Sequence, residues 1–283
     1  MQLRDGRMTC STELVAKGAA VLAAFTVAGF IMKSVTIENE ADLRGIREAG
    51  CVVAKALAAM RSAVRPGITT RALDAFGAAV IEGAGARSAP QFVYGFPGVN
   101  LISVNDEVVH GVPGDRLIQA GDVVKLDVTA ELNGYIADAA ETVLVPPISL
   151  TATRLQRCAI AAFRRGAEVA RAGCPVAAIG AAVERKVRER GFYVIRELSG
   201  HGVGRTIHEP PTVPNYGSAL GEDRLADGMV ITIEPLISTS LTPVFVASDG
   251  WTIRTRDGSL AAHHEHTIIV WRDSSEIVTR TAH

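Results

Sequence analysis

The chain has 283 residues, 48% of them hydrophobic and 21% charged, and a net charge of −1. That balance supports a large core and removes the electrostatic case for binding nucleic acid or an acidic membrane surface. Cys10, Cys51, Cys158 and Cys174 are scattered, with no CxxC pair. This excludes a thiolate zinc ribbon and a disulfide framework, and suits a reducing cytosol.

In chain order, the first feature is the uncharged apolar run "GAAVLAAFTVAGFIM" from Gly18 to Met32. It is shorter than the roughly 20 residues a spanning helix requires. It lacks the small-residue cleavage site of a signal peptide, and acidic residues precede it. Met32 opens "MKSVTIENEADL", which reads like an ordinary bacterial start. Residues 1–35 are therefore read as a non-catalytic N-terminal extension, and residues 36–283 as one catalytic domain.

Leu43, Ile46, Gly50, Val53, Leu57, Met60 and Val64 recur at steps of three and four, a helical stripe that "RPG" at 65–67 ends. "ITTRALDAFGAAVIEGAG" reads as a second helix, opened by a threonine cap and closed by glycines. Strand-like pieces follow through 91–145. At "PPISLTAT" the pattern restarts, with a long helix over Thr151–Gly173, another over Pro175–Arg190, and strands again. The restart has a fixed period. Gly67 and Gly173 are 106 residues apart, as are Gly85 and Gly191, while Asp127 and Glu234 are 107 apart. Two α+β halves with related sheets in one curved core are expected, with equivalent acids approaching each other at the pseudo-symmetry axis.

Within "KLDVTAELNGYIADAAET" (125–142), Asn133-Gly134 separates two strand-like runs. Asn-Gly is the strongest short hairpin signal, because both residues tolerate positive φ. That turn pairs Leu132 with Tyr135 and Thr129 with Asp138. Side chains alternate, so Asp127 and Asp138 become diagonal neighbours on one face, about 7 Å apart along the backbone. Two carboxylates that close repel each other unless a cation lies between them.

Further candidates sit in the second half. "LSGHGVGRTIHEPP" holds His201 and His208, "VITIEPLI" holds Glu234, and "HHEHTIIVW" holds Glu265. A glutamate in an apolar strand is costly to bury unless paired or metal-bound. Four carboxylates with at least one imidazole form a hard, oxygen-rich set suited to Mn²⁺, Fe²⁺, Co²⁺ or Zn²⁺. Four carboxylates are too many for one catalytic ion and suit two, bridged by carboxylates and a water.

In this order Asp127, Asp138, His201, Glu234 and Glu265 resemble the five metal ligands of the methionine aminopeptidases of the pita-bread fold. Their contexts, "SVNDEVVHGVP", "GDVVKLDVTAELNGYIADAAET", "SGHGVGRTIHEPP", "GMVITIEP" and "EHTIIV", match too. The resemblance runs from about Ile37 to Thr279. The short segment between His208 and Glu234 leaves no room for the helical insertion of type II enzymes, so the chain looks like type I. The resemblance implies an α+β pita-bread fold, with two pseudo-symmetric halves and a curved antiparallel sheet backed by helices. It implies a cytoplasmic, monomeric enzyme that uses two divalent metal ions to remove the N-terminal methionine of nascent polypeptides, near the ribosome, when the second residue is small. A metal-bridged water would attack as hydroxide. Glu234 would accept its proton, His208 would stabilise the oxyanion and His110 would contact the peptide nitrogen. Phe96 and Trp251 would shape the apolar substrate pocket. The chain departs from the family pattern at Leu101, Ile207 and His263, where relatives often carry cysteine, phenylalanine and glutamine. Two rivals remain: a proline-directed peptidase of the same fold, and a binding module that has lost its metals.

Overall fold

Asn39 caps α1 (Glu40–Ala63), its Oδ1 accepting from the N–H groups of Ala41 and Asp42 at 2.8 and 3.1 Å. The structure, a computed structural model, describes residues 37–217 and 223–280. The N-terminal extension read from the sequence lies outside the described residues. α1 ends before Arg65-Pro66-Gly67, as its stripe requires. Thr69 then caps α2 (Thr70–Gly83) through a 3.1 Å bond from Ala72 N.

One element departs from the strand reading of 91–145. After β1 (Arg87–Ser88) the chain forms a short helix, α3 (Ala89–Tyr94). Ser88 caps it, a proline occupies its first turn, and Gly95 stops it at φ 69°. The segment is apolar enough to suit a strand, but these start and stop residues select the helix. β2 (Leu101–Val104) and β3 (Glu107–Val109) then lead to the long hairpin β4 (Val123–Leu132) and β5 (Tyr135–Leu144). Its turn has φ 52° at Asn133 and 83° at Gly134, and its register pairs Leu132 with Tyr135 and Thr129 with Asp138.

In the second half α4 (Leu150–Val169) stops short of the expected Gly173, and α5 spans Val176–Glu189. Ala170 already has extended backbone, so the glycine closes the following turn rather than the helix. The remaining strands are β6 (Tyr193–Val194), β7 (Ser199–Gly202), β8 (Glu209–Pro214), β9 (Val230–Ile233), β10 (Leu236–Ser238), β11 (Val244–Val246), β12 (Ile253–Thr255), β13 (Ala261–His263), β14 (Glu265–Val270) and β15 (Ser275–Ile277).

The main sheet has nine strands in the order β1-β4-β5-β14-β9-β7-β8, with β2 also on β4 and β15 on β14. Two three-stranded sheets, β13-β10-β6 and β11-β12-β3, complete the β structure of the described residues. α1 and α2 close a core with β4 and β5 around Val53, Leu57, Met60, Leu126 and Val128. α4 and α5 close an equivalent core around Leu155, Phe163, Ile179, Ile233 and Ile268. Each helix pair thus buries one back face of the sheet, giving the α+β class expected.

The repeat is visible in the hydrogen bonds. Gly67 N donates to Ile118 O and Gly173 N to Leu225 O, both at 2.8 Å. Gly121 N donates to Val145 O at 3.1 Å, and Gly228 N to Val270 O at 2.7 Å. These glycines, with Gly85 and Gly191, all have φ between 70° and 89°. The halves meet where β5 pairs with β14, Ala140 opposite Glu265.

α1 packs closely on the C-terminal segment. A Cβ on Gly50 would lie 2.4 Å from the carbonyl oxygen of Val278. Gly50→Ala should therefore cost about 1–3 kcal/mol, the usual range for overpacking, measurable by denaturant unfolding. Unchanged stability would mean that the segment around Val278 yields without cost.

Candidate metal centre

The concave side of the sheet carries the candidate residues. Asp127 lies in β4, opposite Leu101 of β2, and Asp138 in β5, opposite Thr129. His201 is in β7, Glu234 follows β9 directly, and Glu265 opens β14. All five line one cleft with His110, His208, Phe96 and Trp251. The structure thus brings together every site residue expected from the sequence, although they come from both halves of the chain.

The donors fall into two overlapping groups, Asp138–His201–Glu265 and Asp127–His263–Glu265, with the ligand atoms of each within 4.8 Å of one another. Glu265 belongs to both, as a bridging carboxylate would. Glu234 lies beside them, its Oε1 3.6 Å from His201 Nε2. Buried Oδ1 of Asp138 and Oε1 of Glu265 have no hydrogen-bond partner among the described residues. Orphaned carboxylate oxygens converging on one small volume fit divalent cations, and the absence of thiolates at the cluster fits hard metals.

The backbone around the cluster is fixed by side-chain hydroxyls. Thr267 Oγ1 donates to Asp138 O and accepts from Asp138 N, each at 2.8 Å. Thr232 Oγ1 accepts from His201 N at 3.1 Å and donates to Glu234 Oε1 at 3.0 Å. Asn215 Nδ2 holds Glu234 O at 2.9 Å. His201 Nδ1 lies 2.9 Å from Gly202 O, and a carbonyl can only accept, so Nδ1 carries the proton. Its Nε2 lone pair is then available to a cation.

Burial, then neighbouring carboxylates, pushes Asp127, Asp138 and Glu234 well above the usual carboxylate range. Burial raises Glu265 to about 8. A carboxyl that keeps its proton longer when folded contributes stability that is full below its ordinary pKa and is lost as pH rises through the folded value. In metal-free protein this loss runs up to about pH 8 for Glu265. Buried Lys125, lowered to about 7 chiefly by desolvation, acts in the opposite sense above that pH. The histidines of the cleft, depressed by burial, act oppositely only below their ordinary 6.5. Lys125 is common to both forms and cancels in the difference between metal-loaded and chelated protein. The stabilisation from added divalent metal should therefore grow between about pH 6.5 and 8, measured as the difference in Tm. A constant difference would mean that no buried carboxylate gives up a proton to the cation.

The other half of the cleft is apolar. Phe96 and Trp251 meet edge to face with centroids 5.3 Å apart, and Leu101 and Ile207 stand in the same wall. His110 follows β3 with φ 60°, a left-handed conformation that histidine adopts more readily than most residues. Its neighbour Gly111 anchors it, accepting from Ile102 N at 2.8 Å and donating to Ser103 Oγ at 2.9 Å. Burial, followed by His208 and His263, lowers His110 to about 4, and burial lowers His208 to about 4. Both imidazoles are neutral near pH 7.

Two participants were not assigned roles from the sequence. Tyr94 pairs its hydroxyl with His208 Nδ1 from the end of α3. The capping pattern of "SAPQFVYG" would have exposed this helix, but nothing local links Tyr94 to His208. His263 was legible only as a departure. It lies inside the cluster, its Nε2 3.2 Å from Glu265 Oε2.

A two-halved antiparallel sheet backed by helices, with four carboxylates and imidazoles at the floor of an apolar cleft, defines a metal-dependent hydrolase of the pita-bread class. The model of metallopeptidase family M24 matches residues 44–272. The methionine aminopeptidase 2 of Bacillus subtilis is 40% identical over 246 residues, covering 86% of this chain and 99% of that protein. The crystal structure of methionine aminopeptidase from Thermotoga maritima superposes with a TM-score of 0.84 at 33% identity, over 87% of this chain and 100% of that one. The prolidase from Pyrococcus furiosus shares the fold at TM-score 0.71 and 24% identity, but 65% of its chain is covered. The chain belongs to metallopeptidase family M24, in which its relatives are methionine aminopeptidases. Among the described residues, no helix is long and apolar enough to cross a membrane.

Proposed function

We propose that this peptidase removes the N-terminal methionine from nascent chains whose second residue is small, using two divalent cations held by Asp127, Asp138, His201, Glu234 and Glu265. The observation that carries the reading is the pair of donor groups sharing Glu265 beneath an apolar wall. When bound, the cations would supply Lewis acidity and a water acidified to hydroxide as nucleophile.

The side chains do the rest. Glu234 receives the Thr232 hydroxyl on Oε1, which orients the carboxylate to accept the nucleophile's proton on Oε2. Neutral His208, held through Nδ1 by Tyr94, donates an N–H to the developing oxyanion. His110, placed by the hydrogen bonds that its neighbour Gly111 makes to Ile102 and Ser103, contacts the peptide nitrogen. Phe96 and Trp251 cover the methionine side chain, and Leu101 and Ile207 set the depth of its pocket. The reading extends to a single catalytic unit over residues 36–283, working as a monomer in the cytoplasm close to the ribosome.

The test is mass spectrometry of a peptide panel with Mn²⁺, Fe²⁺, Co²⁺ or Zn²⁺. Met-Ala-Ser should be cleaved, Met followed by a bulky residue should resist, and X-Pro peptides should remain intact. Preferential cleavage of X-Pro would replace this reading with a proline-directed peptidase. No cleavage, with no retained metal, would favour a binding module.

A further inference from the structure

We propose that His263 is a sixth protein ligand, completing with Asp127 and Glu265 the coordination of one of the two cations. The inference rests on the dimetal reading above and adds a residue to it.

Four observations converge. A ring nitrogen of His263 stands with carboxylate oxygens of Asp127 and Glu265 in a donor group spanning no more than 4.8 Å, which shares only Glu265 with the group built on His201. The side chain is 1% exposed, yet neither ring nitrogen has a hydrogen-bond partner among the described residues. A buried imidazole rarely leaves both nitrogens unpaired. The separation between Nε2 and Glu265 Oε2, 3.2 Å, also fits two donors on one ion. Ligands about 2.1 Å from a cation at octahedral or tetrahedral angles stand roughly 3.0–3.4 Å apart. Finally, the backbone that carries the ring is held in place. Thr142 Oγ1 donates to His263 O at 2.8 Å and accepts from His263 N at 3.0 Å, while β13 pairs His263 with Leu236 of β10.

The chemical consequence is specific. Without His263, that donor group is carboxylate alone. Adding an imidazole tightens the site and moves its preference from Mn²⁺ towards Co²⁺, Fe²⁺ and Zn²⁺. A glutamine there would keep the polarity but offer only a neutral amide, a poor ligand.

The experiment titrates metal-stripped full-length protein with Co²⁺, reading stepwise dissociation constants by calorimetry, d–d absorption, and imidazoles per cobalt by X-ray absorption. Wild type should bind two ions with about one imidazole each. His263→Gln and His263→Ala should bind one ion normally and the other at least about tenfold more weakly, the scale on which even outer partners of metal ligands act. The imidazole count at the weakened site should fall, and His201→Ala should weaken the other ion instead. Circular dichroism of the metal-free variants checks folding. If both His263 variants bind two ions with unchanged constants and spectrum, His263 is not a ligand and the dimetal reading stands. If affinity falls but the imidazole count does not, His263 acts only by positioning Glu265, and the proposal is overturned. If wild type binds no second ion, the dimetal reading falls with it.

Discussion

Asp138→Asn should abolish most activity while leaving the hairpin intact. The two side chains are isosteric, and the backbone of Asp138 is held at both its N–H and its carbonyl by Thr267, a contact the substitution does not touch. What changes is the ligand. An amide brings no charge to a cation that Asp138, His201 and Glu265 would share. Outer partners of metal ligands typically cost 10–100-fold when removed, so loss of a direct ligand should lower kcat/KM by more than about 10²-fold. Metal stoichiometry should fall in parallel. The metal-free variant should be at least as stable as metal-free wild type, because one of four mutually repelling carboxyls is gone. Metal content, kcat/KM and the Tm of chelated protein check the three statements together. Full activity with unchanged stoichiometry would remove the dimetal reading of this hairpin.

His208→Ala should lower kcat by roughly 10²–10³, the cost of losing one preorganised oxyanion donor, with KM much less affected. Burial holds His208 near 4, so at neutral pH it is an uncharged imidazole with a single N–H to give. Tyr94, raised to about 12 chiefly by burial, stays protonated and keeps its hydrogen bond to Nδ1. Metal content should remain near wild type, since His208 belongs to neither donor group. His201→Ala is the contrast. Its ring centroid lies 4.2 Å from that of His208, yet it should lose metal and regain part of its activity at high metal concentration. Metal analysis beside kcat and KM separates the two. Metal loss in His208→Ala would make it a ligand, and wild-type kcat would leave it without a part in the chemistry.

The fold was readable where a local rule had one solution. Asn133-Gly134 permits a two-residue turn, and that turn sets the register of ten residue pairs, bringing Asp127 and Asp138 to one face. The 106–107-residue period predicted two halves, and the positive φ of each glycine pair is its backbone counterpart. The reading failed where local rules competed. Ala89–Tyr94 is apolar enough to pass for a strand, but a serine cap, a proline and a terminal glycine make it a helix. At the end of α4 the helix stops at Val169 and the backbone is extended at Ala170, while Gly173 closes the turn that follows, so a glycine signal does not fix the helix end.

The sequence by itself determined the donor chemistry: carboxylates and imidazoles without thiolates, in strands where burial is costly unless they share a partner. It determined the facing of Asp127 and Asp138, because alternation along a registered hairpin leaves no freedom. Which distant donors meet was decided only by the tertiary structure. Glu265 reaches both donor groups because β14 pairs with β5 on one side and β9 on the other, a choice made by packing two helix-backed cores together. Tertiary packing also sets Tyr94 against His208 and His263 inside the cluster, with Thr142 gripping the His263 backbone from the other half of the chain. Contacts across such separations carry no local periodicity. They exist because burying both sheet faces leaves one closed arrangement of the strands, and side-chain direction follows from that arrangement.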